Sequence, residues 1–162
     1  MKNALILFGG VSSEHDVSVV SARSVIENTP KDKYNLILIG ITKDGRWFKY
    51  DGDVAKLPED KWLEDEMALT KAVLSPDRED HGILVFREDG IEKIHIDVVF
   101  PVLHGKNGED GTIQGFLQIA GIPFVGCDAL SSACCMDKEI TNTLADAAGI
   151  PQAKWLGYTK YE

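Results

Sequence analysis

The sequence has little of what marks secreted, membrane-spanning or nucleic-acid-binding proteins. Its three cysteines, at 127, 134 and 135, make a poor disulfide framework, and no His/Cys spacing nearby suggests zinc. No apolar run approaches the roughly 18–20 residues of a membrane span. The 17 basic residues are outnumbered by 26 acidic ones, and the net charge of −9 argues against nucleic acid and anionic membranes as partners. These absences predict a cytoplasmic protein with reduced thiols.

The composition is that of a folded domain. The chain has 162 residues, of which 44% are hydrophobic and 27% charged, so it can fill one core and solvate its surface. The charge is concentrated in residues 51–66, called the acidic segment below, which hold seven carboxylates against two lysines. This pattern predicts a solvated surface excursion.

Apolar runs between glycine-marked loops predict an α/β fold. Continuous apolar character is typical of strands buried on both faces of a parallel sheet. Such runs cover 3–8, 36–41, 96–103 and the residues near Phe124. Helices are expected from the loop after Gly10 to about Asn28, over 112–120, and over 129–148 in two pieces that meet near Asp137. Asp-Gly pairs at 44–45 and 89–90 predict two hairpins, and 153–158 resembles a further strand.

The first candidate site is the loop FGGVSSEHDVS, which starts at Phe8. It is neither a dinucleotide fingerprint nor a P-loop, but it leads from a parallel strand into a helix, where open α/β sheets bind ligands. Glu14 is a fixed negative charge that could receive a substrate ammonium. The alternative is that Ser13 and Glu14 only cap the helix. His15 is expected to be solvated, and Val17, Val20 and Val25 are expected to share one helix face.

The second candidate site is the loop over 104–111. It contains three glycines, which let backbone approach a ligand closely, and it places His104 at the end of a strand. A histidine at this position is also compatible with a purely structural role. The adjacent Glu109 and Asp110 could bind metal, although carboxylates just before a helix more often interact with its dipole.

The third candidate site is the start of the last helix. Asp137 is a plausible N-cap and Lys138 lies in the first turn, where a cation is unfavourable against the helix dipole. An anionic ligand such as phosphate would offset that cost. The alternative is a solvent-exposed lysine.

Together these blocks resemble the D-alanine–D-alanine ligases of the ATP-grasp superfamily. The matching segments are FGGVSSEHDVSVVSA from Phe8, PVLHGKNGEDGTIQG from Pro101 and GIPFVGCDALSSACCMDK from Gly121. Their order and spacing agree over essentially the whole chain. The segment GITKDGRWFKYDG from Gly40 is similar to the longer ligases, which include vancomycin-resistance D-Ala–D-lactate and D-Ala–D-serine enzymes.

The resemblance implies a domain organisation and an activity. Residues 1–126 would form a Rossmann-like (pre-ATP-grasp) parallel sheet with helices on both faces and a hairpin insertion, and 127–162 would begin the central ATP-grasp domain. The activity would be ATP-dependent synthesis of D-alanyl-D-alanine for peptidoglycan, through an acyl phosphate. D-alanine and ATP would bind, Mg²⁺ ligands would lie in a C-terminal part beyond Glu162, and the N-terminal domain would form a homodimer. The chain alone is expected to be inactive; a non-catalytic binding or dimerisation module is the alternative.

The resemblance also implies residue roles. Glu14 matches the glutamate that orients the ammonium of the first D-alanine, and His104 matches a histidine beside that substrate. Lys138 matches a lysine that contacts ATP phosphate, whereas Glu109 and Asp110 match loop-shaping positions. The implied catalytic residues are Glu14 and His104, and the implied substrate-binding residues are Glu14, Ser18, His104 and Gly105.

Overall fold

A computed structural model describes residues 1–158, which form one mixed seven-stranded sheet with helices on both of its faces. The strands are β1 Lys2–Gly9, β2 Tyr34–Ile41, β3 Trp47–Tyr50, β4 Leu69–Leu74, β5 Gly82–Arg87, β6 Gly90–His95 and β7 Val98–Pro101. The helices are α1 His15–Asn28, α2 Thr112–Ala120, α3 Ala129–Met136 and α4 Lys138–Ala147. None of the helices in this part of the chain could span a bilayer, since the longest, α1, has 14 residues.

The strand order is β6-β5-β4-β3-β2-β1-β7, and only the β2-β1-β7 part is parallel. The three predicted central strands and both hairpins are confirmed. The predicted α/β fold with a parallel core and inserted hairpins is confirmed as a mixed sheet, in which β3 to β6 form an antiparallel meander; strand β4 was not predicted. The predicted strand near Phe124 is a single parallel bridge between Val99 and Phe124.

Side-chain alternation along β1 explains why helices cover both faces. Ile6 and Phe8 pack into the cluster that includes Val19 of α1. Leu5 and Leu7, one residue out of phase, pack into the cluster that includes Leu117 of α2. Successive side chains of a strand point to opposite faces, so the continuous apolar run serves two cores.

The buried face of α1 differs from the predicted one. Val17 and Val20 are 53% and 56% exposed, whereas the buried stripe consists of His15, Ser18, Val19, Ala22 and Ile26. Two polar residues belong to this stripe because their side chains hydrogen-bond backbone groups of Gly9 at the end of β1, of Gly10, and of Val102 just after β7. A hydrophobicity pattern alone therefore assigns the helix to the wrong face.

The acidic segment is not a solvated excursion, which corrects that prediction. It forms 3₁₀ helices over Val54–Lys56 and Pro58–Glu64, and its Leu57 and Trp62 are fully buried. The Trp62 ring meets Phe8 and Tyr50 edge to face, at centroid distances of 5.2 and 5.9 Å. Its few apolar side chains thus anchor the segment on the α1 face of the sheet while most carboxylates face solvent.

The C-terminal helices begin at side-chain caps. The Asp128 carboxylate accepts a hydrogen bond from the Ser131 amide, and Asp137 accepts from Glu139 and Ile140. The two predicted helical pieces and their junction are therefore confirmed. The predicted strand over 153–158 is wrong, because no ladder forms along these residues and an extended segment without a neighbour is not a strand.

Candidate functional site

Two loops meet at the carboxyl edge of the parallel strands. Residues 10–14 connect β1 to α1, and residues 102–111 connect β7 to α2. Because β1 and β7 are parallel neighbours, both loops leave from the same edge. Gly9 and Gly10 have φ of 84° and 99°, so the chain turns sharply where β1 ends.

The Glu14 carboxylate lies directly against Gly105. A Cβ atom at position 105 would overlap Glu14 Oε2 and would lie 2.8 Å from Ser12 Oγ, and Gly105 has φ of 67°. The two loops therefore converge, as predicted. Glu14 precedes α1 as its N-cap residue, but its side chain makes no capping hydrogen bond, so the alternative of a simple capping role is not observed for Glu14.

His104 is about one-third exposed and lies near the Glu109 carboxylate of its own loop. Its Nδ1 atom is 4.0 Å from Glu109 Oε1, and its Nε2 atom is buried with no hydrogen-bond partner among residues 1–158. A buried ring nitrogen without a partner is costly unless a ligand or water completes it. The geometry thus leaves His104 one polar atom for a ligand.

Glu109 and Asp110 shape the loop. The Gly105 amide donates to Glu109 Oε2 over 2.7 Å, and Asp110 accepts from the amides of Asn107 and Thr112 over 2.9 and 3.1 Å. Desolvation raises the pKa of Asp110, but these hydrogen bonds outweigh it and lower the pKa below its ordinary value. Both carboxylates are thus engaged by the backbone.

Two cavities adjoin His104. One, of about 340 Å³, lies between the β1–α1 loop and α2 and is lined by Gly10, Leu103 and Phe116 among others. The other, of about 600 Å³, lies toward α3 and includes Glu109 and Cys135 in its lining. Volumes of this size suit small ligands.

Ser18 has a different environment from the one expected of a ligand-binding residue. It is fully buried, its Oγ accepts from the Gly9 amide over 2.8 Å, and it donates its hydroxyl proton to the Val102 carbonyl. Ser18 joins the end of β1 to Val102, the residue after β7, and its only donor is used within the protein. Lys138 is the exposed first residue of α4 and is not among the residues lining either cavity.

His15 is a site residue whose role the sequence analysis missed. It is 1% exposed, not solvated as expected. Its Nδ1 atom is 2.8 Å from the Gly10 carbonyl and its Nε2 atom is 2.9 Å from Asp60 Oδ1. The partner lies 45 residues along the chain in a segment expected to be solvent-exposed, so no spacing rule could have found the pair.

The fold is an α/β domain in which the Glu14 carboxylate and His104 lie on two glycine-rich loops at one edge of the sheet. The family described as D-ala D-ala ligase N-terminus matches residues 3–127, and the chain belongs to the D-alanine–D-alanine ligase family.

Individual relatives agree with this assignment. A D-alanine–D-alanine ligase of Caldicellulosiruptor bescii is 49% identical over 97% of this chain and 42% of its own length. The vancomycin/teicoplanin A-type resistance protein VanA of Enterococcus faecium is 51% identical over 90% of this chain and 40% of its own. The solved structure of VanG D-Ala:D-Ser ligase from Enterococcus faecalis superposes with a TM-score of 0.85 at 47% identity, covering 91% of this chain and 42% of that one. The chain thus spans less than half the length of these relatives.

Proposed function

We propose that the full-length protein is an ATP-dependent D-alanine–D-alanine ligase of peptidoglycan synthesis, and that this chain supplies its first-substrate site. The observation that carries the proposal is the Glu14 carboxylate lying over Gly105, beside His104, at the carboxyl edge of β1 and β7. The carboxylate of one D-alanine would attack the γ-phosphorus of ATP and release ADP. The amine of the second would then attack the acyl carbon and release phosphate.

Glu14 is suited to bind the ammonium of the first D-alanine. An ionised carboxylate only accepts hydrogen bonds, and a charge-assisted bond to an ammonium is worth about 1.5–3 kcal/mol. Binding the ammonium here leaves the substrate carboxylate free to be phosphorylated. Holding both reactants in one geometry is itself a large part of such catalysis.

His104 would contact the same substrate through Nε2, the ring atom without a partner. Gly105 contributes space, because any side chain at that position would displace Glu14. Ser18 would act only by holding Gly9 and Val102 in place.

ATP would contact this chain through Lys138, whose ammonium stands at the N-terminus of α4. We further propose that residues 1–126 form the pre-ATP-grasp domain and that 127–162 begin the ATP-grasp domain. The carboxylates beside the cleft make a poor Mg²⁺ ligand set, because Glu109 Oε2 and both Asp110 oxygens accept backbone amides and Glu14 is proposed for the substrate ammonium. Mg²⁺ ligands would therefore come from outside this chain.

A D-Ala–D-Ser activity is the second candidate, favoured by the similarity to VanG D-Ala:D-Ser ligase. The test is to incubate the full-length protein with ATP, Mg²⁺ and D-alanine, alone or with D-serine or D-lactate, and to identify products by mass spectrometry. We expect D-alanyl-D-alanine and ADP. Absence of D-alanine-dependent ADP release in every mixture would refute the ligase proposal and favour a non-catalytic binding module.

We also propose a cytoplasmic homodimer formed through the N-terminal domain. Support comes from the outward face of α1, where Val17 and Val20 are more than half exposed. Light scattering of the 162-residue chain is expected to give twice the monomer mass of 17.8 kDa. A monomeric mass for the wild-type chain, with the same mass for the double variant Val17→Asp/Val20→Asp, would contradict the dimer.

A further inference from the structure

A histidine–carboxylate hydrogen bond ties the acidic segment to the loop that carries Glu14. His15 Nε2 lies 2.9 Å from Asp60 Oδ1, and the same oxygen accepts from Trp62 Nε1 over 3.2 Å. The other Asp60 oxygen is 3.1 Å from Lys43 Nζ, which also contacts Asp16 over 2.7 Å. The lysine ammonium thus stands between the two carboxylates, where a metal ion would otherwise fit.

The hydrogen-bond geometry gives each ring nitrogen of His15 an acceptor. Nδ1 faces the Gly10 carbonyl and Nε2 faces the Asp60 carboxylate, and both groups only accept hydrogen bonds. A neutral imidazole has one N–H and would leave a lone pair facing one of them. With both protons present, the ring donates to the loop and to the acidic segment at once.

The backbone on both sides of the pair is shaped to permit it. Asp60 and Glu59 have φ of 57° and 61°, a left-handed conformation that is unfavourable for residues with a side chain. On the other side, a Cβ at Gly9 would lie 3.0 Å from His15 Cε1. Strain that persists in a structure is offset by the contacts around it, and here the contacts are those of Asp60.

We propose that Asp60 is a positioning residue for Glu14, an inference that rests on the proposed function of Glu14. Asp60 holds His15, and His15 holds the Gly10 carbonyl at the far end of the 10–14 loop. Glu14 precedes His15 directly, so anchoring the ring fixes the loop at both ends. The Glu14 carboxylate is then held against Gly105 without any hydrogen bond of its own to the helix.

The test compares three variants in the full-length protein. Asp60→Gly removes the carboxylate and relieves the left-handed strain, whereas Glu59→Gly does the same one residue away at a side chain that is 74% exposed. Asp60→Asn restores a partner, because an amide can pair with a neutral imidazole. The steady-state rate is measured against D-alanine and against ATP, at a temperature where each variant is shown to be folded by circular dichroism.

We expect Asp60→Gly to raise the KM of the first D-alanine about tenfold with kcat and the KM of ATP nearly unchanged, equal to about 1.4 kcal/mol of binding. Glu59→Gly should match the wild type and Asp60→Asn should recover part of the loss, because an amide N–H turned toward His15 leaves Trp62 Nε1 without its acceptor. In ¹⁵N spectra of the imidazole, the Nε2 signal of His15 should move in the Asp60→Asn variant, because its hydrogen-bond partner changes.

Three results would overturn the inference. The first is a D-alanine KM for Asp60→Gly equal to that of Glu59→Gly. The second is a His15 Nε2 signal that Asp60→Asn leaves unchanged, which settles the matter even if Asp60→Gly fails to fold. The third is a wild-type protein that is inactive with D-alanine. This result would refute the proposed function itself, and the wild-type assay alone distinguishes it from the other two.

Discussion

Gly105→Ala separates the role of Gly105 in the cleft from its role in the backbone. The residue has φ of 67°, where an alanine costs about 1–2 kcal/mol of folding free energy. The added methyl would also overlap Glu14 Oε2. Because that oxygen ends a flexible side chain, the clash is relieved by moving the carboxylate, so the overlap costs function more than stability.

The expected functional loss follows from the bond that the displaced carboxylate no longer makes. Losing a charge-assisted hydrogen bond of about 1.5–3 kcal/mol lowers kcat/KM for the first D-alanine about ten- to hundredfold. Gly149→Ala is the matched control, because Gly149 has φ of 68° and a Cβ there meets nothing within 4 Å.

The assay is ADP release by the full-length protein at varied D-alanine, together with urea unfolding of both variants. Gly105→Ala and Gly149→Ala should lose similar stability, while only Gly105→Ala loses D-alanine use. Equal D-alanine kinetics in the two variants would refute the claim that Glu14 needs the space above Gly105.

Three further predictions concern the folded chain. Trp62→Ala should lower the free energy of unfolding by about 3–5 kcal/mol, since the indole is fully buried against Phe8 and Tyr50; a urea midpoint within error of the wild type would contradict this. Burial raises the pKa of Asp60, but hydrogen bonds from His15, Lys43 and Trp62 bring it below 3.8. The ionised Asp60 therefore stabilises the fold above its unfolded pKa, and this contribution is lost as the pH falls through the lower folded pKa. Urea unfolding between pH 5 and pH 2 should be less pH-dependent in Asp60→Asn than in the wild type. An equal pH dependence in the two proteins would count against the His15–Asp60 pair. The 162-residue chain should fold but bind no ATP at micromolar concentration, because one exposed lysine cannot supply about −8 kcal/mol; saturable binding by isothermal titration would show otherwise.

The sequence predicted the parts of the fold that local chemistry determines. The apolar runs of β1, β2 and β7 contain too few polar residues to lie on the surface. Gly121 ends α2 and Asp137 caps the start of α4, both where expected. The position of the acidic segment could not be predicted from local sequence. Its charge density indicates exposure, while its position depends on Leu57 and Trp62 packing against residues far away in the chain.

The candidate site shows the same division. Glycine-rich loops after parallel strands located Glu14 and His104, because strand polarity places both loops at one edge. The burial of Ser18 and His15 was not predicted, since each hydrogen-bonds a group brought near only by the fold: Val102 for Ser18 and Asp60 for His15. Buried polar residues on a helix face carry no hydrophobic signal.

The central claim is that Glu14 binds the ammonium of the first D-alanine, and Glu14→Gln in the full-length protein tests it most directly. The amide keeps the size of the side chain and removes its charge. We predict that kcat/KM for the first D-alanine falls by about tenfold or more while the KM for ATP changes less than about twofold. D-alanine kinetics equal to those of the wild type would contradict the account and remove Glu14 from the site.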